Sequence, residues 1–202
     1  MILGILLLSS IDDVFAFDYK SLAQEVKDGL LTGEVVSLEK RPDEDLEVDK
    51  RFITLAQILE GTQREIWEVI HDKEDAELFV DGVLESRVIE ESENEILVAQ
   101  KTQVGGPKGA YHYQLRHKLT PFFRSDFKFV TGEMRDVIGS WWILDGPDVD
   151  HSLVVYSLHI DPGFFAPQIV VKRGMRKSMP GTLRSMQREV LKRRELERNK
   201  TE

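Results

Sequence analysis

From Val83 to Ile160, apolar and polar residues alternate in short runs, and beyond Pro167 the apolar period lengthens to that of a helix. The alternating runs cover residues 83–91, 96–103, 111–119, 122–131, 137–144 and 153–160. Turn-forming residues separate them: Ser92-Glu93-Asn94, Gly105-Gly106-Pro107, Thr120-Pro121, Gly132 and Asp145-Gly146-Pro147. Short strands joined by tight turns predict an antiparallel meander. Upstream, residues 52–59 read as a further strand. Thr62 and Glu65 have the spacing of a capping box that opens a helix through Ile66, Trp67, Val69 and Ile70. Residues 72–79 form a second short helical piece, closed by the Asp81-Gly82 turn.

In the last third, Met175, Met179, Leu183, Met186 and Val190 recur at steps of four, four, three and four, one continuous apolar stripe. Pro180 within that stripe predicts a kink or a junction between two segments. A helix too apolar to stand alone, following antiparallel strands, must lie across their sheet, and that arrangement can enclose a cavity. Beyond Lys192 the chain is rich in Arg, Lys and Glu, and the helix is expected to fray into solvent. The basic residues Lys192, Arg193, Arg194, Arg198 and Lys200 suit a transient contact with anionic lipid headgroups. Glu189, Glu195 and Glu197 dilute that charge, so a solvated helix end is the favoured reading.

Strand alternation assigns faces. Tyr111, Tyr113, Leu115, His117 and Leu119 are expected to point inward, as are Phe123, Ser125, Phe127 and Phe129, and Val154, Tyr156, Leu158 and Ile160. Trp141 and Trp142 must face opposite sides, and alternation does not say which is inside. The residues expected to line a ligand site are therefore Tyr111, Tyr113, His117, Phe127, Phe129 and Tyr156 from the strands, with Met179, Leu183 and Met186 from the helix. Flexible thioethers adapt to irregular cores and to varied ligands alike. The same face would also serve as a solid core, with His117 a satisfied core histidine.

Composition narrows the functional classes. The chain has 202 residues, a formal net charge of −9 and no cysteine, and this reads as one globular domain. The acidic balance argues against nucleic-acid binding, and the missing thiols exclude disulfides, a cysteine nucleophile and Cys-based metal sites. The histidines at 71, 112, 117, 151 and 159 show no metal-binding spacing, and no metal or cofactor is expected. Gly105-Gly106-Pro107-Lys108-Gly109 lacks the Lys-Ser/Thr pair of a phosphate loop and reads as a mobile hairpin loop. No nucleophile elbow occurs, so no catalytic residue is assigned. Any catalysis would be acid–base work by Glu133, Arg135, Tyr156 or His117.

At the N-terminus, the apolar run Ile2–Leu8 and the Val14-Phe15-Ala16 sequence resemble a secretory signal peptide over residues 1–16, although no basic residue precedes the run. Export to the periplasm or exterior is expected on that reading, with a mature chain from about Phe17, and a cytoplasmic location if the run is instead a buried segment. Residues 17–50 form an extension. Its helix carries Leu22, Val26, Leu30 and Leu31 and ends at Gly33; a weakly alternating segment over 34–40 and a polar turn at Arg41–Asp45 follow.

The stretch from Phe52 to Asp72 (FITLAQILEGTQREIWEVIHD) resembles the opening strand and first helix of START-like domains, the SRPBCC or polyketide cyclase/dehydrase and lipid-transport superfamily. Gly139-Ser140-Trp141, Leu153-Val154-Val155-Tyr156 and Asp161-Pro162-Gly163 with Pro167 are similar to the closing part of the same domains. The resemblance implies an α+β helix-grip fold over residues 51–192: an antiparallel six- to seven-stranded curved sheet wrapped around a long C-terminal helix, with two short helices after the first strand, and a charged tail over 193–202. It also implies a hydrophobic small molecule or lipid held between sheet and helix by a non-enzymatic ligand-binding protein. The alternative it carries is a cyclase/dehydrase working by acid–base residues in the same cavity. Coenzyme-Q-binding members carry a Pro-Trp-Cys-like element after the second short helix, where this chain has Phe79-Val80-Asp81-Gly82. No protein partner is implied.

Overall fold

A computed structural model describes residues 19–39, 41–42, 52–103, 109–163 and 167–201. The expected signal peptide and residues 105–108 of the glycine-rich loop lie outside the described residues. Helix α1 (Gln24–Leu31) and strand β1 (Val36–Leu38) precede β2 (Ile53–Glu60), α2 (Gln63–His71) and α3 (Ala76–Phe79). Six strands follow: β3 (Val83–Glu91), β4 (Glu95–Gln103), β5 (Ala110–Thr120), β6 (Arg124–Gly132), β7 (Asp136–Asp145) and β8 (His151–Asp161). Helix α4 (Gln168–Thr201) closes the described chain.

All eight strands form one curved antiparallel sheet in the order β1-β2-β8-β7-β6-β5-β4-β3. Sequence reading expects six or seven; the three-residue β1, drawn from the weakly alternating segment, adds an edge strand by pairing with β2. The last strand of the meander returns beside β2, with Leu55 opposite Tyr156. Helices α2 and α3 carry the chain from β2 across the sheet to its far edge at β3. Thr62 caps α2 reciprocally with Glu65, as their spacing predicts.

Two apolar layers flank the sheet. The inner one joins α2, α3 and the α4 stripe, Val171, Met175, Met179, Leu183, Met186 and Val190, to the inward strand residues. On the other face Leu22 and Leu30 from the N-terminal extension cover Ala56, Trp142, Leu144, Leu153 and Val155. Burial on both faces accounts for the near-continuous apolar character of β8. The extension thus supplies a second cover for one end of the sheet.

Four expectations change. Strand β6 begins at Arg124 instead of residue 122, because Pro121 and Phe122 turn the chain and Phe122 takes φ 63°. Phe123 consequently leaves the inward set and meets the edge of Trp142 on the outer face, ring centroids 5.6 Å apart. Helix α4 runs through Pro180 as one element, with no junction there. Next to that proline, a Cβ on Gly181 would collide with the Asp81 carboxylate, and the Asp81 amide donates to Thr182 Oγ1 at 3.0 Å. The α3–β3 turn thus docks on the helix beside Gly181 and Thr182.

The basic end of α4 does not fray at Lys192; the helix continues to Thr201. Arg193 pairs with Glu189 at 3.0 Å, Asp72 at 3.2 Å and Asp75 at 2.9 Å. Arg194 pairs with Glu65 at 2.6 Å and Glu60 at 2.9 Å. These two cations are engaged inside the molecule and clamp α2 and the α2–α3 loop to α4. The Arg194 guanidinium holds the Glu65 carboxyl down at about 2, against an ordinary value of 4.5. A depressed carboxylate stabilises the fold above its ordinary value, and that contribution disappears as pH falls through its folded value. Arg194→Ala is therefore expected to lower unfolding free energy by about 1–2 kcal/mol near neutral pH. Urea titrations should show the deficit shrinking toward about pH 2, and a deficit independent of pH would contradict the assignment.

Candidate functional site

A hollow lies between the inner sheet face and the α2–α3 region. Its walls are Ile70, Ala76, Phe79 and Val80 on the helical side, and Leu115, Phe127, Val137, Trp141, Tyr156, Leu158 and Ile160 on the sheet side. Tyr113, Thr102, Gln100, His117, Lys73 and Asp81 bring polar groups to it. It offers about 80 Å³ to the centres of water-sized molecules, roughly half of the about 150 Å³ cavity that takes up one benzene ring, so an aromatic guest must widen it on entry. That is well below the roughly 300–1,000 Å³ of sites that bury drug-sized ligands.

Trp141 faces this hollow and stacks on Tyr156 across β7 and β8, centroids 3.8 Å apart and planes 4° from parallel. Trp142 points to the opposite layer, which decides the orientation that alternation left open. Gly139 stands opposite Phe127 on the neighbouring strand. A Cβ there would overlap the Ser157 carbonyl and the Phe127 ring, so only glycine lets that ring lie over the strand.

The polar groups form two sets. In one, Tyr113 Oη and Thr102 Oγ1 are 2.7 Å apart, and the Tyr113 hydroxyl donates to Gln100 Oε1 at 3.4 Å. Burial pushes the Tyr113 hydroxyl up to about 12 and raises that of Tyr156 as well. The other set centres on Ser125. Lys73 Nζ donates to Ser125 Oγ at 3.3 Å and to the Ile70 carbonyl at the end of α2. His117 Nδ1 lies 3.4 Å from Ser125 Oγ, and its ring is 5.4 Å from that of Phe127. The Lys73 carbonyl accepts from Ser86 Oγ at 2.6 Å, and Ser86 Oγ accepts from Gln100 Nε2 at 3.3 Å. The loop bearing the amine is thereby tied to β3 and β4.

Lys73 is only 5% exposed. Burial pushes its amine down to about 7, and the opposing pull of Asp72 is smaller. His117, also buried, is driven well below its ordinary value by burial and then by the Lys73 charge, so it is a neutral imidazole.

Of the residues expected to line the site, Tyr113, His117, Phe127 and Tyr156 meet at the hollow. Tyr111, Met179, Leu183 and Met186 are buried in the same core without lining it, and Phe129 is half-buried against that core. The α4 stripe fills the space over β2 and β8, so the α2–α3 segment supplies the helical wall. Phe129 keeps its inward parity opposite Leu115, and the extra residue at Val130 breaks the β5–β6 register just beyond it. Glu133 and Arg135 are exposed. Glu133 accepts from the His112 amide at 2.8 Å and Arg135 approaches Asp161 at 3.7 Å, so these two of the four acid–base candidates lie away from the hollow. Lys73, Thr102 and Gln100 escaped sequence reading. Lys73 does continue the Ile66, Ile70 spacing of the buried face of α2, a signal masked by Asp72, Glu74 and Asp75 around it.

A family model described as polyketide cyclase / dehydrase and lipid transport matches residues 59–187, more than half of the chain. The chain belongs to that family. No curated protein matches it. Among solved structures, the Zhui aromatase/cyclase from a Streptomyces species is similar at TM-score 0.60 and 16% identity, covering 71% of this chain and 94% of that one. A STAR-related lipid transfer protein fragment from Xanthomonas axonopodis gives TM-score 0.59 at 12% identity, with 77% and 98% covered. A START superfamily protein from Mycobacterium smegmatis gives TM-score 0.60 at 8% identity, with 70% and 97% covered. At these identities the likeness is one of fold. The extension that covers the outer sheet face lies outside the family match.

The Lys73 amine has a testable consequence for this START-like domain. Its folded value, about 7, lies below the ordinary 10.5, so between them the unfolded chain binds a proton that the folded protein lacks. Stability should therefore rise with pH across that window, by up to about 1.4 kcal/mol per unit. The raised Tyr113 and Tyr156 hydroxyls act in the reverse sense above their ordinary 10.0. Lys73→Met is expected to be the more stable protein near neutral pH, by about 1–3 kcal/mol, and to lose the upward slope. Urea unfolding between about pH 7 and 9.5 measures both, and an unaltered slope in the variant would refute the buried-amine assignment.

Proposed function

We propose that this protein binds a compact hydrophobic molecule, of one or two rings, in the hollow between the sheet and the α2–α3 segment, which widens to admit it. The observation that carries the reading is the buried Trp141–Tyr156 stack, flanked by Phe79 and Phe127 in a wall otherwise broken by few polar tips. An apolar enclosure with a small number of placed polar groups suits small-molecule recognition. Family membership supports the reading, since the family description spans lipid transport and cyclase/dehydrase proteins. A guest as large as a lipid would require α3 and the adjoining part of α4 to part from the sheet, because the space present is too small for it.

The cyclase/dehydrase alternative retains only His117 and Tyr156 of its four candidate residues, since Glu133 and Arg135 lie outside the hollow. Binding without turnover is accordingly the preferred function. Naphthalene titrated into the full-length protein should alter its tryptophan fluorescence, and Trp141→Phe should remove most of that response. Native mass spectrometry of freshly purified protein should show a non-covalent small-molecule adduct. No adduct together with an unchanged fluorescence spectrum would refute the proposal.

A further inference from the structure

The hollow has a polar corner that a purely hydrophobic guest leaves unsatisfied. Lys73 Nζ has two acceptors among the described residues, the Ile70 carbonyl and Ser125 Oγ, so the third hydrogen of its ammonium form has none there. His117 Nε2 is buried with no hydrogen-bond partner. The Ser125 hydroxyl accepts from Lys73 and has its own hydrogen to give to His117 Nδ1. With Nδ1 accepting, a neutral imidazole carries its hydrogen on Nε2. Among the described residues, two N–H donors of the corner are therefore without an acceptor.

Nearby carboxylates do not supply one. Asp72 acts on Lys73 at a distance, but its side chain is 40% exposed and pairs with Arg193 at 3.2 Å. Asp81 stands at the wall beside Gly181 and Thr182, where its backbone amide donates to Thr182. The Tyr113 hydroxyl is engaged by Thr102 and Gln100. A buried cation without a counter-ion is costly, and a charge-assisted acceptor that enters with a ligand relieves that cost.

We infer that Lys73 Nζ and His117 Nε2–H form a head-group subsite for the carboxylate of an otherwise hydrophobic one- or two-ring ligand, whose ring lies along Trp141 and Tyr156. This rests on the binding function proposed above and specifies its ligand class. A carboxylate has the lone pairs to accept from both donors at once and supplies the missing negative charge. A neutral amide or ester of the same shape can accept hydrogen bonds but leaves the charge unpaired.

Binding such an anion favours the ammonium form of Lys73. Above about pH 7 the free protein must take up a proton to bind it, so affinity for the carboxylate should fall as pH rises. His117 stays neutral and Tyr113 and Tyr156 stay protonated across this range. The test is calorimetric titration of the full-length protein with 2-naphthoate and with 2-naphthamide. At about pH 7 the carboxylate is expected to bind at least about tenfold tighter than the amide, the worth of one charge-assisted pair. The preference should shrink at about pH 9 and vanish in Lys73→Met, while 2-naphthamide still binds that variant. Amide binding by the wild type with no preference for the carboxylate at either pH would overturn this inference and leave the binding function standing. Failure of both probes to bind the wild type, with no response from Trp141, would overturn both.

Discussion

The stripe Val171, Met175, Met179, Leu183, Met186 and Val190 on α4, buried against the inner sheet face, is the contact on which the other elements depend. Neither surface is tolerable in water alone, because each presents a continuous band of large apolar side chains. Once they are joined, the sheet must curve around the helix, and β8 must return beside β2 to complete the wall. The ion pairs of Arg193 and Arg194 with Asp72, Asp75, Glu60 and Glu65 then fix the position of α2 and its following loop on the helix. Apolar burial supplies the attraction, and the charges select one arrangement of the segments around it.

The hollow exists where that packing stops. Over β2 and β8 the methionines fill the space between helix and sheet, and farther across the sheet the shorter α2–α3 segment takes over the covering role. Its side chains do not reach all the way to Phe127, Trp141 and Tyr156. Lys73 enters the remaining space because the chain leaves α2 with the same face still turned inward. Ser86, Gln100 and Ser125 hold it there, by its backbone and its amine. An amine in that position is neither a surface charge nor a core filler. An apolar side chain of equal length would pack at lower cost.

The strands, the capping box of α2, the closing helix and the family resemblance were legible because each depends on local periodicity or on residues adjacent in sequence. Tyr113, His117, Phe127 and Tyr156 reached the hollow as alternation predicted, since strand parity survives any register that keeps one face buried. Phe123 departed from parity at a turn, where alternation has no force, whereas Phe129 kept its inward parity next to a bulge. Met179, Leu183 and Met186 were legible as buried; their separation from the hollow depends on how far α2–α3 extends over the sheet. Pro180 reads locally as a helix breaker, yet the helix continues through it and the docked α3–β3 turn sits beside it.

By itself, the sequence determined which surfaces had to be covered: one face of a meander, one stripe of a helix, and a capped helix between them. Hydrophobic spacing is enough for that, because burial of apolar area does not ask which partner provides the cover. Only the tertiary structure decided that Trp141 and not Trp142 faces inward, that the extension covers the outer layer, and that Lys73 lies beside Ser125 and His117. Those outcomes depend on strand register and on packing between segments far apart in the chain. A lysine among Asp72, Glu74 and Asp75 is indistinguishable from a solvated one until the sheet is set beneath it.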